Sequence, residues 1–275
     1  MDNVAGHLYE YSVNGVKLLH TSGKYNNVYS GNNLKGGGTG EESLDSLLVL
    51  HKRHPFPIHP DRQGDERDFK RMGFAKHLSD FAKAENNSSG DSFGQFGFND
   101  FFGLGSQWTR RAALRAALTA EGYLIVADEY KGSESLGDDY LAGPIWHLAK
   151  VEGKVTGPQE QNWSSAPAID RAWWQKKKIG MIVYIHDDGN LKFGSVQQNE
   201  SQDIDPNTTT FAYRPIAVGK TERFSSVLVP HCLAKRPEEI IDDIKSVIKR
   251  SGTFITFVGG VRVVIKSDGV WSVKR

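Results

Sequence analysis

The chain has 275 residues with a net charge of +1; 38% of them are apolar and 11% aromatic. That much apolar matter supports a sizeable core and argues against a disordered polypeptide. So even a charge balance supplies no long-range field to gather phosphates, so a dedicated nucleic-acid binder is not expected. The single cysteine, Cys232, excludes an internal disulfide, and its neighbour His231 lacks the repeated spacing of a metal site. No apolar run approaches the ~18 residues of a membrane span. Met1-Asp2-Asn3 opens the chain without a basic region and apolar stretch, so no signal peptide is read here.

Short apolar or alternating runs bounded by Gly, Asp and Asn predict strands through most of the chain. The first two, Leu8–Val13 and Val16–His20, flank Asn14-Gly15, the strongest short-range hairpin signal because both turn residues accept positive φ. Lys35–Gly40 is a glycine loop without the Lys-Ser/Thr of a phosphate-binding loop or the spacing of a dinucleotide fold. Residues 52–106 read as a long irregular insertion. It holds Pro55, Pro57 and Pro60, then Asn86–Gly90, then the aromatic stretch Phe93–Phe102, which is expected to pack back on the sheet. Histidines 51, 54, 59 and 77 in this region lack the helical spacing of zinc ligands and read as loop residues.

Ala112–Ala120 has helix-forming composition, yet Trp108, Arg110, Ala112, Leu114, Ala116 and Leu118 alternate as a strand does; the residues leave the choice open, and strand is preferred mainly on a resemblance carried by the motifs given below. Further strands are expected at Tyr123–Asp128, Ile145–Val151, Ile179–His186, Leu191–Val196, Thr210–Val218, Phe224–Val229, Thr253–Val258, Val261–Lys266 and Val270–Val273. Asp187–Asn190, Gly259-Gly260 and Ser267–Gly269 are turn signals. Trp173-Trp174 ahead of Lys176–Lys178 would point to opposite faces of a strand. Ile240, Ile241, Ile244, Val247 and Ile248 follow helical spacing behind Pro237 and predict a helix over 237–250. The whole reads as one all-β domain, 1–275, an antiparallel sandwich with one short helix.

Several of these runs carry a family resemblance. Ala5-Gly6-His7-Leu8-Tyr9, the Asn14-Gly15 hairpin, Leu18-Leu19 and Ser22-Gly23-Lys24-Tyr25 resemble the heparinase II/III-like polysaccharide lyases at the start of their C-terminal β-sandwich module. Ser46–Val49, Trp108–Arg111 with Tyr123–Glu129, Ile145–Leu148 and Ser226–Pro230 resemble later strands of that module, in the same order. The resemblance implies a supersandwich-like fold and an acidic polysaccharide or oligosaccharide, a glycosaminoglycan or alginate, as partner. It also implies a missing upstream α/α-toroid and, for a longer lyase, a periplasmic or secreted location. The motif histidines expected before Ala5 are absent, Val4 stands where an aspartate is expected, Leu44-Asp45 replaces a His-Asn pair and Thr21 replaces an acidic residue. The positions the family would use for a divalent metal such as zinc are therefore not retained, and no cofactor is expected.

A uronate lyase removes a proton α to a carboxylate, stabilises the enolate-like charge and protonates the leaving oxygen. Residues 20–33 gather the side chains for this. His20 and Tyr25 are the candidate catalytic pair, and Lys24, Asn26, Asn27 and Tyr29 are candidate substrate contacts. The same residues also suit a polar loop after a hairpin, so a non-catalytic glycan-binding or structural module stays open as the alternative. No G-x-S-x-G elbow supports a serine hydrolase. Asp128-Glu129 and Asp138-Asp139 offer carboxylates for a glycosidase, but nothing in the sequence pairs them across a cleft.

Overall fold

The computed structural model describes residues 10–13, 16–20, 47–51, 80–101, 105–115, 122–134, 140–149, 163–170, 175–198, 207–232, 236–257 and 260–275. Among them the chain runs β1 (Glu10–Val13), β2 (Val16–His20), β3 (Leu47–His51), β4 (Phe81–Asn86), β5 (Ser92–Phe101), β6 (Ser106–Arg115), β7 (Tyr123–Lys131), β8 (Tyr140–Ala149) and β9 (Trp163–Asp170). It continues through β10 (Gln175–Ile185), β11 (Lys192–Gln198), β12 (Asn207–Pro215), β13 (Thr221–Cys232), α1 (Pro237–Ile241), β14 (Lys245–Lys249), β15 (Gly252–Thr256), β16 (Arg262–Lys266) and β17 (Trp271–Lys274). The strand pairs are all antiparallel among the described residues. The all-β, sandwich-like fold with a short helix is the one expected from the strand and turn signals.

Three sheets stack. A six-stranded sheet holds β1-β2-β8-β12-β11, with β3 also on β8; a seven-stranded sheet runs β4-β5-β6-β7-β13-β10-β9; a four-stranded sheet runs β14-β15-β16-β17. Alternation sorts the middle sheet's side chains between two cores. Leu124, Val126, Met181, Val183 and Leu228 meet Trp146, Leu148 and Ala212 of the six-stranded sheet. Tyr123, Ile125, Ile182, Val227 and Val229 meet Ile255, Val263 and Ile265 of the four-stranded sheet. The middle strands are covered on both faces. This is why Tyr123–Asp128 and Ile179–Val183 read as continuous apolar runs instead of alternating ones.

Three local expectations change. The helix ends at Ile241, and Lys245–Lys249, expected to continue it, is a strand paired along its length with β15. Pro237 and the acidic first turn start a helix as anticipated, but β-branched Val247 and Ile248 suit a ladder as well as a helix, and the available partner strand decides. The second half of the stretch expected to be irregular, 52–106, carries β4 and β5, which extend the middle sheet. Its aromatics do pack back: Phe98 stacks on Trp108 at 5.5 Å and Phe93 on Trp271 at 5.4 Å. Trp163–Asp170 is a strand that no sequence signal marked. Trp173, Trp174 and Asp138-Asp139 lie outside the described residues.

The Asp187–Asn190 turn forms as its chemistry requires. The Asp187 carboxylate accepts from the Gly189 N–H at 2.8 Å, and Gly189 takes φ +95°, which an L side chain rarely adopts. No helix among the described residues is long and apolar enough to cross a membrane.

Candidate functional site

Of the candidate site residues, the described region reaches His20, the last residue of β2, opposite Glu10 in the first hairpin. Lys24, Tyr25, Asn26, Asn27 and Tyr29 follow it outside the described residues. β2 lies against β8 through the Leu19–Leu148 pair. Continuing that antiparallel register by one residue brings the His20 backbone to the level of His147.

The motifs behind the family resemblance meet elsewhere, in the core. Arg110 and Asp128 are direct partners across the β6–β7 hairpin. Their side chains form a two-pronged ion pair, 2.7 and 2.8 Å, with both residues almost fully buried. Trp108 Nε1 donates to the same carboxylate at 2.9 Å. The guanidinium lies 5.0 Å from the ring centroids of both Trp108 and Trp146. Trp146 Nε1 in turn donates to Ser226 Oγ at 2.9 Å. Arg110, Asp128, Trp146 and Ser226 come from three of the quoted motifs and form one buried polar constellation between the two larger sheets. A buried carboxylate committed to three N–H donors serves the fold. It leaves Asp128 no part in a two-carboxylate mechanism, and Glu129, its neighbour on the strand, points to the opposite face.

A second cluster ties the chain's end to the middle sheet. Asp91, fully buried, accepts from Tyr123 Oη at 2.6 Å, Asn87 Nδ2 at 3.0 Å, Arg115 Nε at 3.0 Å and Arg275 Nη2 at 2.9 Å. Burial pushes the Asp91 carboxyl up, but the bonds from Tyr123 and Asn87 and the charges of Arg115 and Arg275 outweigh it, and it lies below its ordinary value. Burial and the same carboxylate push the Tyr123 phenol far up, so it stays protonated. This tyrosine is a donor to the fold, not an acid for a reaction.

The sign of the pH dependence follows. A carboxyl depressed on folding stabilises fully above its unfolded value of about 3.9, and the contribution is lost as pH falls through the folded value. The melting temperature of the wild type is expected to drop more steeply below about pH 4 than that of Asp91→Asn. Parallel acid limbs in a thermal-denaturation series would remove Asp91 as the cause.

His186, half-buried after β10, is held below its usual value by burial, which outweighs the pull of Asp188 and Asp187, so it is neutral at neutral pH. On the face of the middle sheet toward the four-stranded sheet, Glu129 receives Arg111 Nη1 at 2.6 Å and Arg223 Nη2 at 3.2 Å. With Thr253, Lys266 and Ser267 these groups line a crevice of about 200 Å³ counting its open part. Adjacent arginines on a strand serve opposite faces, so the split roles of Arg110 and Arg111 follow from the alternation already visible in Trp108–Arg111. Among the described residues, no group of three or more His, Cys, Asp or Glu is placed to hold a metal ion.

No family model matches the chain, and no curated protein matches it. Solved structures do. Heparan sulfate lyase HepC from Pedobacter heparinus superposes with a TM-score of 0.54 at 11% identity, over 94% of this chain and 34% of that one. A mutant of the same lyase gives a TM-score of 0.56 at 12% identity with the same coverage. A crystal structure of heparinase III gives 0.56 at 11% identity, over 95% of this chain and 34% of that one. The chain thus spans about a third of the length of these proteins and shares the fold of that third.

Proposed function

We propose that this chain is the β-sandwich part of a polysaccharide lyase that cleaves acidic glycans by β-elimination and works together with an α/α-toroid. The observation that carries the reading is the superposition of nearly the whole chain on a third of heparinase III and of a heparan sulfate lyase.

In this reading Tyr25 stacks on a sugar face and protonates the leaving glycosidic oxygen, while His20 takes the proton α to the carboxylate. Lys24, Asn26 and Asn27 neutralise the uronate carboxylate as charge develops on it, and Tyr29 lines the rim.

Affinity electrophoresis through gels containing acidic polysaccharides, with ultraviolet detection of unsaturated uronates, tests it. The polypeptide alone is expected to be retarded by an acidic glycan and to release little or no product, because in this reading the α/α-toroid is needed to complete the catalytic cleft. Tyr25→Phe, which removes only the hydroxyl, is expected to weaken retardation or residual turnover with an almost unchanged melting temperature. Migration independent of every acidic glycan tried would end the reading. A clear loss of stability in Tyr25→Phe with unaltered retardation would withdraw Tyr25 from the site.

A further inference from the structure

The four-stranded sheet turns one face to the middle sheet and one to solvent. Thr253, Ile255, Val263 and Ile265 point inward and are almost fully buried. Strand alternation then turns Phe254, Thr256, Arg262, Val264, Lys266, Ser272 and Lys274 outward. The register fixes the outer face as rows across the strands. One row is Lys245, Thr256, Arg262 and Lys274; two residues along comes the row with Phe254, Val264 and Ser272; two further comes Lys249, Gly252 and Lys266. The five cations of this face are all exposed, and no Asp or Glu occurs in any of the four strands. Half-buried Phe254 sits between the cationic rows, with Lys249 Nζ 5.7 Å and Arg262 Cζ 5.9 Å from its ring centroid.

The concentration of charge is the point. The whole chain has a net charge of +1, so without these five residues it would be −4. With strands about 4.8 Å apart and about 3.3 Å per residue, β14 and β16 hold their cations on a grid of roughly 10 by 13 Å. That spacing is close to the distance of about 8 Å over which physiological salt screens a charge, so an exposed pair adds little to stability here while a partner bearing many negative charges is attracted by several at once. Isolated surface cations on a sheet are common guards of an edge. A whole face of one sign with an aromatic at its centre goes beyond that use.

We infer that the outer face of the four-stranded sheet is a docking surface for a linear acidic polysaccharide, whose carboxylate or sulfate groups pair with the cationic rows while a sugar ring rests on Phe254. This rests on the glycan reading proposed above and adds to it a binding surface on the opposite side of the middle sheet from the sandwich that carries His20. Such a surface would hold the chain on its polymer independently of the reacting sugar. A single half-buried aromatic suits one apolar sugar face better than the succession of stacked bases a nucleic-acid strand presents.

The test is binding to heparin and to alginate at low and rising salt. The paired variants are Lys249→Ser with Arg262→Ser, and Lys245→Ser with Lys274→Ser. The control is Lys83→Ser with Lys220→Ser, which removes the same charge from places off this sheet. Either face pair is expected to raise the dissociation constant about tenfold at low salt, the loss shrinking as salt rises. Phe254→Thr is expected to weaken binding several-fold at every salt concentration. Circular dichroism should remain that of the wild type in all of them. Wild-type retardation that the face pairs leave intact, or that the control pair reduces as much, would overturn the docking surface while leaving the glycan reading standing. Tighter capture of single-stranded DNA than of either polysaccharide would overturn it in favour of a nucleic acid. A wild type that binds no acidic polysaccharide at all would remove the glycan reading itself and the surface with it.

Discussion

Asp128→Ala is expected to destabilise the protein by about 3–5 kcal/mol, seen as a large fall in the denaturant midpoint with little change in slope. The substitution strands Arg110 between the two larger sheets with its charge uncompensated and removes the acceptor of the Trp108 indole N–H. Two aromatic faces at 5.0 Å soften the position of the guanidinium but do not replace a carboxylate that meets it with two hydrogen bonds. The double variant Asp128→Leu with Arg110→Met, which removes both charges and keeps the volume, is expected to recover most of the loss, because well-packed apolar groups often equal a buried ion pair. A single variant within about 1 kcal/mol of the wild type would show that water reaches this pair and that the constellation is not the anchor of the sandwich.

Gly143→Ala is expected to cost about 3 kcal/mol or more, although it adds one methyl group. A Cβ at Gly143 would lie 1.8 Å from the Ala212 carbonyl oxygen and 2.8 Å from the Tyr213 Cα. Both obstacles are backbone of β12, so no rotamer change relieves them. The β8–β12 ladder shows the same pinch. Direct pairing runs to Phe211–Ile145 and resumes at Arg214–Ala142, skipping Gly143 and Pro144, and a proline has no N–H to give the ladder. Gly94→Ala is the matched control. A Cβ there meets only the Lys83 carbonyl at 4.0 Å, and its midpoint is expected within about 1 kcal/mol of the wild type. Equal midpoints for the two alanine variants would mean that β8 and β12 separate at no cost at this point.

Arg110, Asp128, Trp146 and Ser226 are 18 to 80 residues apart in pairing distance along the chain, yet hydrogen bonds and ring contacts make them one unit. They specify the sandwich. The chemistry of the proposed site lies on other residues, from His20 onward, where the resemblance is carried by Ser22-Gly23-Lys24-Tyr25.

The sequence by itself determined the class of the fold, because period-two runs and Asp-Gly or Gly-Gly turns are local properties and survive in any tertiary setting. Val16–His20 as a strand and the helix start at Pro237 were legible in this way. Tertiary structure alone decided that Lys245–Lys249 pairs as a strand, since the choice depended on β15 being beside it. It alone decided that the middle sheet is covered on both faces, since a continuous apolar run does not say what will cover it. It also decided that five cations scattered between Lys245 and Lys274 share one face without a carboxylate, because the register of four strands, and not the order of residues in the chain, makes them neighbours.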